Sequence, residues 1–236
     1  MSLADNLETI EKRIQGACAR AGRKREEVQL MGVTKGHPAE AVREALDLGI
    51  ALFGENKVQE AKWKIPASPA KARWHMIGHL QTNKAKDAVA LFSMIQSVDS
   101  LRLAIELQKA AEKLSKTLPI LLEVNVAGEA SKFGYSPRQA LADFAEINRL
   151  SRLEVHGLMT IAPYSTDPER ARGYFKQLRE LRGACEQVLG APLPELSMGM
   201  SGDFEVAIEE GATIIRVGTS LFGDRPKRTP AEADAE

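Results

Sequence analysis

Leu196-Ser197-Met198-Gly199-Met200-Ser201-Gly202-Asp203 and, one short helical pattern later, Thr213-Ile214-Ile215-Arg216-Val217-Gly218-Thr219-Ser220 share one design. In each, an apolar run of strand length ends in glycine and hydroxyl residues that open the next helix. Glycine lets the backbone approach an anion closely, and unpaired N–H groups at such a turn favour negative charge. Turns of this kind after the seventh and eighth strands form the recurrent phosphate site of a (β/α)8 barrel. The fold therefore turns on whether six strands precede this pair.

Working back along the chain, the six are 28–34, 51–54, 73–78, 93–98, 120–126 and 153–159, with the pair itself at 193–198 and 213–217. Helical patterns alternate with them. Gly36-His37-Pro38 breaks the first strand and opens a helix to Leu48, because proline's fixed φ suits a first turn and Gly49 suits a stop. Further helices are expected over 56–65, 82–91, from the cap Asp99-Ser100 to Leu114, and over 203–210. Pro119 is read as delaying the fifth strand, and Ser136-Pro137-Arg138-Gln139 and Thr166-Asp167-Pro168-Glu169 as capping boxes. Ahead of all this, Leu3, Leu7, Ile10, Ile14, Ala17 and Cys18 have the spacing of an amphipathic helix docked on the body.

Short right-handed crossovers between alternating elements make a parallel sheet closed into a barrel the natural product. An open doubly wound sheet is the alternative, although no G-x-G-x-x-G follows the first strand. The expected fold is α/β, a single TIM-type barrel over 1–225 with an extra N-terminal helix. A flexible tail rich in Pro, Ala and charge is expected over 226–236.

Composition narrows the function classes. Lys plus Arg and Asp plus Glu both number 32, so no global basic field draws nucleic acid or an anionic membrane. Arg23-Lys24-Arg25 and the charges of 62–71 are read as solvating helix ends and loops. Residues 1–25 are charged throughout and lack an apolar run, which implies no leader and a cytoplasmic protein. Cys18 and Cys185 have no disulfide or zinc spacing, and His75, His79 and His156 read as packed or hydrogen-bonded, so no metal is expected.

Two side chains stand out by alternation. Met31, Val33 and Lys35 share one face, so with Val33 in the lumen the Lys35 amine emerges from an apolar interior. Desolvation lowers an amine's pKa, and the neutral form attacks an aldehyde. Taken alone, Lys35 reads more readily as a solvated strand-end lysine. Ile214 and Arg216 lie opposite Ile215 and Val217, so Arg216 can point inward, where it needs an acceptor. Ser201 is open to two readings, anion ligand or plain N-cap, with Asp203 and Glu205 adding negative charge to the same turn.

Val33-Thr34-Lys35, Phe53-Gly54-Glu55-Asn56-Lys57-Val58-Gln59-Glu60, Trp74-His75-Met76-Ile77-Gly78 and the two late clusters, in this order, carry a resemblance. The chain resembles the pyridoxal phosphate homeostasis proteins, which are similar to the barrel domain of bacterial alanine racemase. The likeness runs from the first helix to Phe222-Gly223. It implies pyridoxal 5'-phosphate as cofactor, with Lys35 as the Schiff-base lysine, Ser201, Gly218 and Thr219 holding phosphate, Arg216 facing the pyridine nitrogen and Asn56 lining the pocket. Gly36-His37-Pro38 departs from the family pattern, which has a longer side chain and a second lysine before the proline. That departure bears on cofactor exchange.

The resemblance also implies storage, buffering or delivery of the cofactor, with pyridoxal phosphate-dependent apo-enzymes as partners, and a monomer without catalytic turnover is the expectation. An amino-acid racemase is the first alternative. It needs a second acid/base group, for which Tyr135 and Tyr164 are the candidates in this chain, and an Arg at the pyridine nitrogen weakens the ring as an electron sink. The second alternative is an aldolase using Lys35 without a cofactor, with the late loops binding a sugar phosphate.

Overall fold

Strand follows strand in chain order round a closed ring, every pairing parallel. This computed structural model describes residues 2–224, so the tail expected at 226–236 and the last residue of the expected barrel domain lie outside the described residues. Helix α1 (Leu3–Arg20) precedes the ring. The ring itself runs β1 (Gln29–Val33), α2 (Ala39–Asp47), β2 (Leu52–Glu55), α3 (Val58–Ala67), β3 (Arg73–Met76), α4 (Ala85–Leu91), β4 (Met94–Val98) and α5 (Leu101–Lys113). It continues with β5 (Leu118–Glu123), α6 (Pro137–Ile147), β6 (Leu153–Met159), α7 (Arg172–Leu189), β7 (Glu195–Ser197), α8 (Phe204–Glu209), β8 (Ile214–Val217) and α9 (Thr219–Phe222).

The strands read as nearly continuous apolar runs because both faces are covered. Alternate residues fill the lumen: Met31, Val33, Leu52, Ile77 and Ile214 form one cluster there, and Met94, Leu121 and Met159 another. Their neighbours, such as Phe53, Ile95, Leu122 and Ile215, belong to the larger cluster under the helices. The barrel is thus a packed core whose polar groups collect at one rim. Among the described residues, no helix is long and apolar enough to cross a membrane.

Helix α1 docks as its pattern predicts, burying Leu3, Ile10, Ile14, Ala17 and Cys18, at roughly 1.5–3 kcal/mol for each large apolar side chain. It lies on α8 and α9. Asn6 Nδ2 donates to Leu221 O at 3.0 Å, and Arg13 and Arg20 pair with Glu205 and Glu209 at 2.8 and 2.6 Å. A reciprocal capping box between Ser2 and Asp5 starts the helix.

Three local expectations are corrected. The fifth strand begins at Leu118 with Pro119 inside it, instead of starting after the proline. The missing N–H is harmless there because the described β4–β5 pairing starts only at Ile120. Asp167, not Thr166, accepts from the Glu169 N–H, and it caps a 3-10 turn, Pro168–Ala171, ahead of α7. Ser136 does cap α6, but the Gln139 amide donates to Asp143 at 2.7 Å, so no reciprocal box forms.

Candidate functional site

Register fixes what surrounds Lys35. Val33 pairs with Gly54, so continuing both strands brings Asn56 abreast of Lys35. On the other side Gly32 pairs with Val217, and a Cβ on Gly218 would lie 3.4 Å from Val33 O. Lys35 therefore leaves β1 half-buried between Asn56 and the Gly218-Thr219 turn, following the lumenal face of Met31 and Val33. β7 adjoins β8, and the Arg216 N–H donates to Gly199 O at 3.0 Å, which brings the turn carrying Ser201 alongside. All six residues singled out from the sequence thus lie on one sector of the rim, built by β7, β8, β1 and β2.

The residues after Lys35 form a β-turn in which the His37 N–H donates to Thr34 O at 2.9 Å and Gly36 has φ +76°. A type II turn needs positive φ at its third residue, which accounts for glycine here. His37 packs into the structure. It is buried, with its ring centroid 5.4 Å from that of Phe222 in α9.

Arg216 is 4% exposed. Its Nη1 donates to Ser197 Oγ at 2.7 Å and its Nη2 to Thr160 O at 2.7 Å, which satisfies the demand for acceptors. Ser197 Oγ donates onward to Gln96 Oε1 at 2.6 Å, and Gln96 Nε2 meets His75 Nδ1 at 2.9 Å. Burial pushes the His75 pKa down to about 3, so this imidazole is neutral. Burial likewise lowers Arg216 to about 10, opposed by Asp203 and Glu123, and the guanidinium stays charged at neutral pH. A hydrogen-bonded belt from β3 through β4 and β7 to β8 therefore holds one cation in fixed orientation across the lumen.

The choice left open for Ser201 narrows. The N-cap of α8 is Asp203, and its Oδ1 turns back to accept the Met200 N–H at 2.6 Å. Among the described residues, no hydrogen bond takes up the N–H groups of Ser201, Gly202, Thr219 or Ser220. These N–H groups, with the Ser201 and Thr219 hydroxyls, make a donor set suited to phosphate. Asn56 Oδ1 is buried with no partner, an acceptor awaiting a donor. Asn56 also lines a cleft of about 310 Å³ with His79 and Lys84, and none of the other five residues shares that lining. An amine, a fixed cation, an orphaned acceptor and free N–H groups together fit a phosphorylated aldehyde with a heteroaromatic ring.

The sequence reading missed several carboxylates. Glu55 ends β2 and is fully buried against Lys64, itself fully buried and not one of the solvated charges of 62–71. Glu123 ends β5, 7% exposed, with Oε2 unpartnered. Burial, then Asp99, pushes its pKa up to about 7, with Arg216 opposing. A carboxylate closing an apolar barrel strand was the available signal. The sign of the pH effect follows: a folded pKa above the ordinary 4.5 penalises the folded state as pH rises through the interval between them, and the penalty is complete above about 7. Glu123→Gln in the cofactor-free protein should therefore stabilise by up to about 3 kcal/mol near pH 8 and by little near pH 4.5. Urea unfolding at both pH values checks this, and equal effects would refute it.

Among the racemase candidates, Tyr135 is buried with its hydroxyl unpartnered and its pKa pushed up by burial, while Tyr164 is 90% exposed. His79 bonds Asp99 at 2.9 Å and stacks on Phe133 with ring centroids 3.6 Å apart, and His156 meets Glu154 at 3.3 Å.

Comparison with known proteins shows the family and the fold. The family model described as alanine racemase, N-terminal domain, matches residues 6–226. A protein of Aquifex aeolicus named pyridoxal phosphate homeostasis protein is 46% identical over 226 residues, covering 95% of this chain and 99% of the relative. Among solved structures, PipY of Synechococcus elongatus with PLP bound is 37% identical, with a TM-score of 0.81 over 94% of this chain and 100% of that one. Alanine racemase of Clostridium difficile shares the fold at 15% identity, with a TM-score of 0.74 over 94% of this chain and 58% of that one.

Proposed function

The chain belongs to the pyridoxal phosphate homeostasis protein family, built on the alanine racemase N-terminal domain, and from that premise we propose that it holds pyridoxal 5'-phosphate as a Schiff base on Lys35. It stores, buffers or delivers the cofactor and does not turn over a substrate. The observation that carries this reading is the convergence of Lys35, Arg216 and the two N–H-rich turns on one sector of the rim. PipY with PLP bound, a relative at 37% identity, adds support.

In this reading Ser201, Gly218 and Thr219 hold the phosphate, Arg216 faces the pyridine nitrogen and Asn56 engages the ring's substituents. Bound there, the cofactor supplies an aldehyde able to exchange between amines. Arg216 weighs against turnover, as does the need for a second acid/base group. A guanidinium anchored by Ser197 and Thr160 donates a hydrogen bond without giving up its proton, so the ring stays a weak electron sink. We take the protein to act as a cytoplasmic monomer that hands cofactor to pyridoxal phosphate-dependent apo-enzymes.

The test is borohydride reduction of the loaded protein followed by peptide mapping. A phosphopyridoxyl group on the Lys35 peptide is expected, and one on another lysine overturns the assignment. Racemisation of alanine or serine at roughly 1 per second or more would restore the racemase reading. A chain that takes up no cofactor at all would favour the aldolase.

A further inference from the structure

Lys64 lies at an apolar position of α3, on the same face as Val58 and Ala61, and is fully buried. Its Nζ donates to Glu55 Oε1 at 2.6 Å, Glu60 Oε1 at 2.6 Å and Thr34 O at 2.7 Å. Both carboxylates reach the same short segment. Glu55 Oε1 accepts from Thr34 Oγ1 at 2.6 Å, and Glu60 Oε1 accepts from the Gly36 N–H at 2.7 Å.

These contacts meet at one residue. Thr34 O belongs to the peptide unit before the Lys35 Cα, and the Gly36 N–H to the unit after it. Fixing both planes fixes φ and ψ of Lys35, and with them the direction in which its side chain leaves the turn. Burying three ionisable groups is costly, and ordinary turn bonding such as His37 N–H to Thr34 O would suffice to end a strand. The cluster therefore does more than close the turn.

We propose that Glu55, Glu60 and Lys64 are positioning residues that set the Lys35 backbone and thereby aim its amine for imine formation. The proposal rests on the reading of Lys35 as the Schiff-base lysine. In that step the Nζ–carbon bond forms, becomes C=N, and the aldehyde oxygen leaves as water. A held backbone raises its rate by keeping the amine in line with the aldehyde carbon.

The test compares Glu60→Ala, Glu60→Gln and Thr34→Val with the unaltered chain in three measurements. Amide hydrogen exchange at Gly36 is read in the cofactor-free protein. The rate of imine formation with pyridoxal 5'-phosphate is followed by absorbance. Affinity for pyridoxamine 5'-phosphate, which has no aldehyde, reads the pocket without the imine.

Glu60→Ala should speed Gly36 exchange and slow imine formation, each by about tenfold or more, as expected for loss of a charge-assisted hydrogen bond. Glu60→Gln keeps an oxygen acceptor and should recover most of both, with pyridoxamine phosphate affinity within about twofold throughout. Thr34→Val, which removes only the hydroxyl bond to Glu55, should move both in the same direction and serves if Glu60→Ala does not fold. Unchanged imine formation in Glu60→Ala overturns the proposal, as does a parallel loss of pyridoxamine phosphate affinity, which would mean that the cluster merely holds the pocket together. An unaltered chain that forms no imine sinks the functional reading instead, and the Gly36 exchange contrast tells the two failures apart.

Discussion

Lys35→Ala should yield a protein that folds as before yet carries no borohydride-trapped adduct and no visible imine band. The residue is half-buried at a rim, so its loss opens no core cavity. The phosphate turns and Arg216 remain, and weak non-covalent binding should persist through them. Holding the amine beside the aldehyde gives it a high effective concentration, so its removal should weaken retention on the order of 100-fold or more. Equilibrium dialysis gives the affinity and peptide mapping the adduct. An adduct persisting in Lys35→Ala, for instance on the neighbouring Lys57, would transfer the chemistry to that residue.

Lys64→Ala should cost stability instead. It strands the fully buried Glu55 carboxylate and the largely buried Glu60 carboxylate without their cation, and breaking a buried ion pair from one side typically costs about 3–5 kcal/mol. For a chain of this size that lowers the melting temperature by roughly 6–20 °C. The loss should depend on pH. Burial holds the Glu55 carboxyl above the usual carboxylate range, and Lys64 is the largest influence pulling it back. Without Lys64 it rises further. A carboxyl whose folded pKa exceeds its unfolded one loses stability as pH climbs through that interval, so Lys64→Ala should be less damaged near pH 5 than near pH 8. Urea unfolding at the two pH values decides, and a loss independent of pH would mean that Lys64 contributes packing alone. The double variant Lys64→Met with Glu55→Leu, which leaves one fewer stranded charge, should recover part of the loss.

The barrel was legible because strand and helix periods alternate cleanly and because strands covered on both faces read as apolar runs. Arg216 was legible from strand alternation: one charge among Ile214, Ile215 and Val217 must face a lumen or a partner. Lys64 was not, because it sits in a segment dense with lysines. Glu60 lies one turn back on the same helix, but the other two acceptors that make its burial possible, Glu55 and Thr34 O, lie 9 and 30 residues away in sequence. A trace was present nonetheless, since 58, 61 and 64 fall on one helical stripe and the third is a lysine. The belt of His75, Gln96 and Ser197 was hidden for the same reason: each looks ordinary on its own strand, and only ring closure brings them together. Pro119 reads as a breaker in sequence, yet the described β4–β5 pairing begins only at Ile120, so no described strand partner misses its N–H.

The first and last strands of the ring pair directly, Gln29 with Ile214 through Gly32 with Val217. That join is a seam, and the proposed Schiff-base residue, Lys35, lies on one lip of it while Gly218 and Thr219 lie on the other. A molecule linked to the first and gripped by the second staples the seam shut. Half a ring has nothing to staple, so a nascent chain gains the site only when its final strand has left the ribosome.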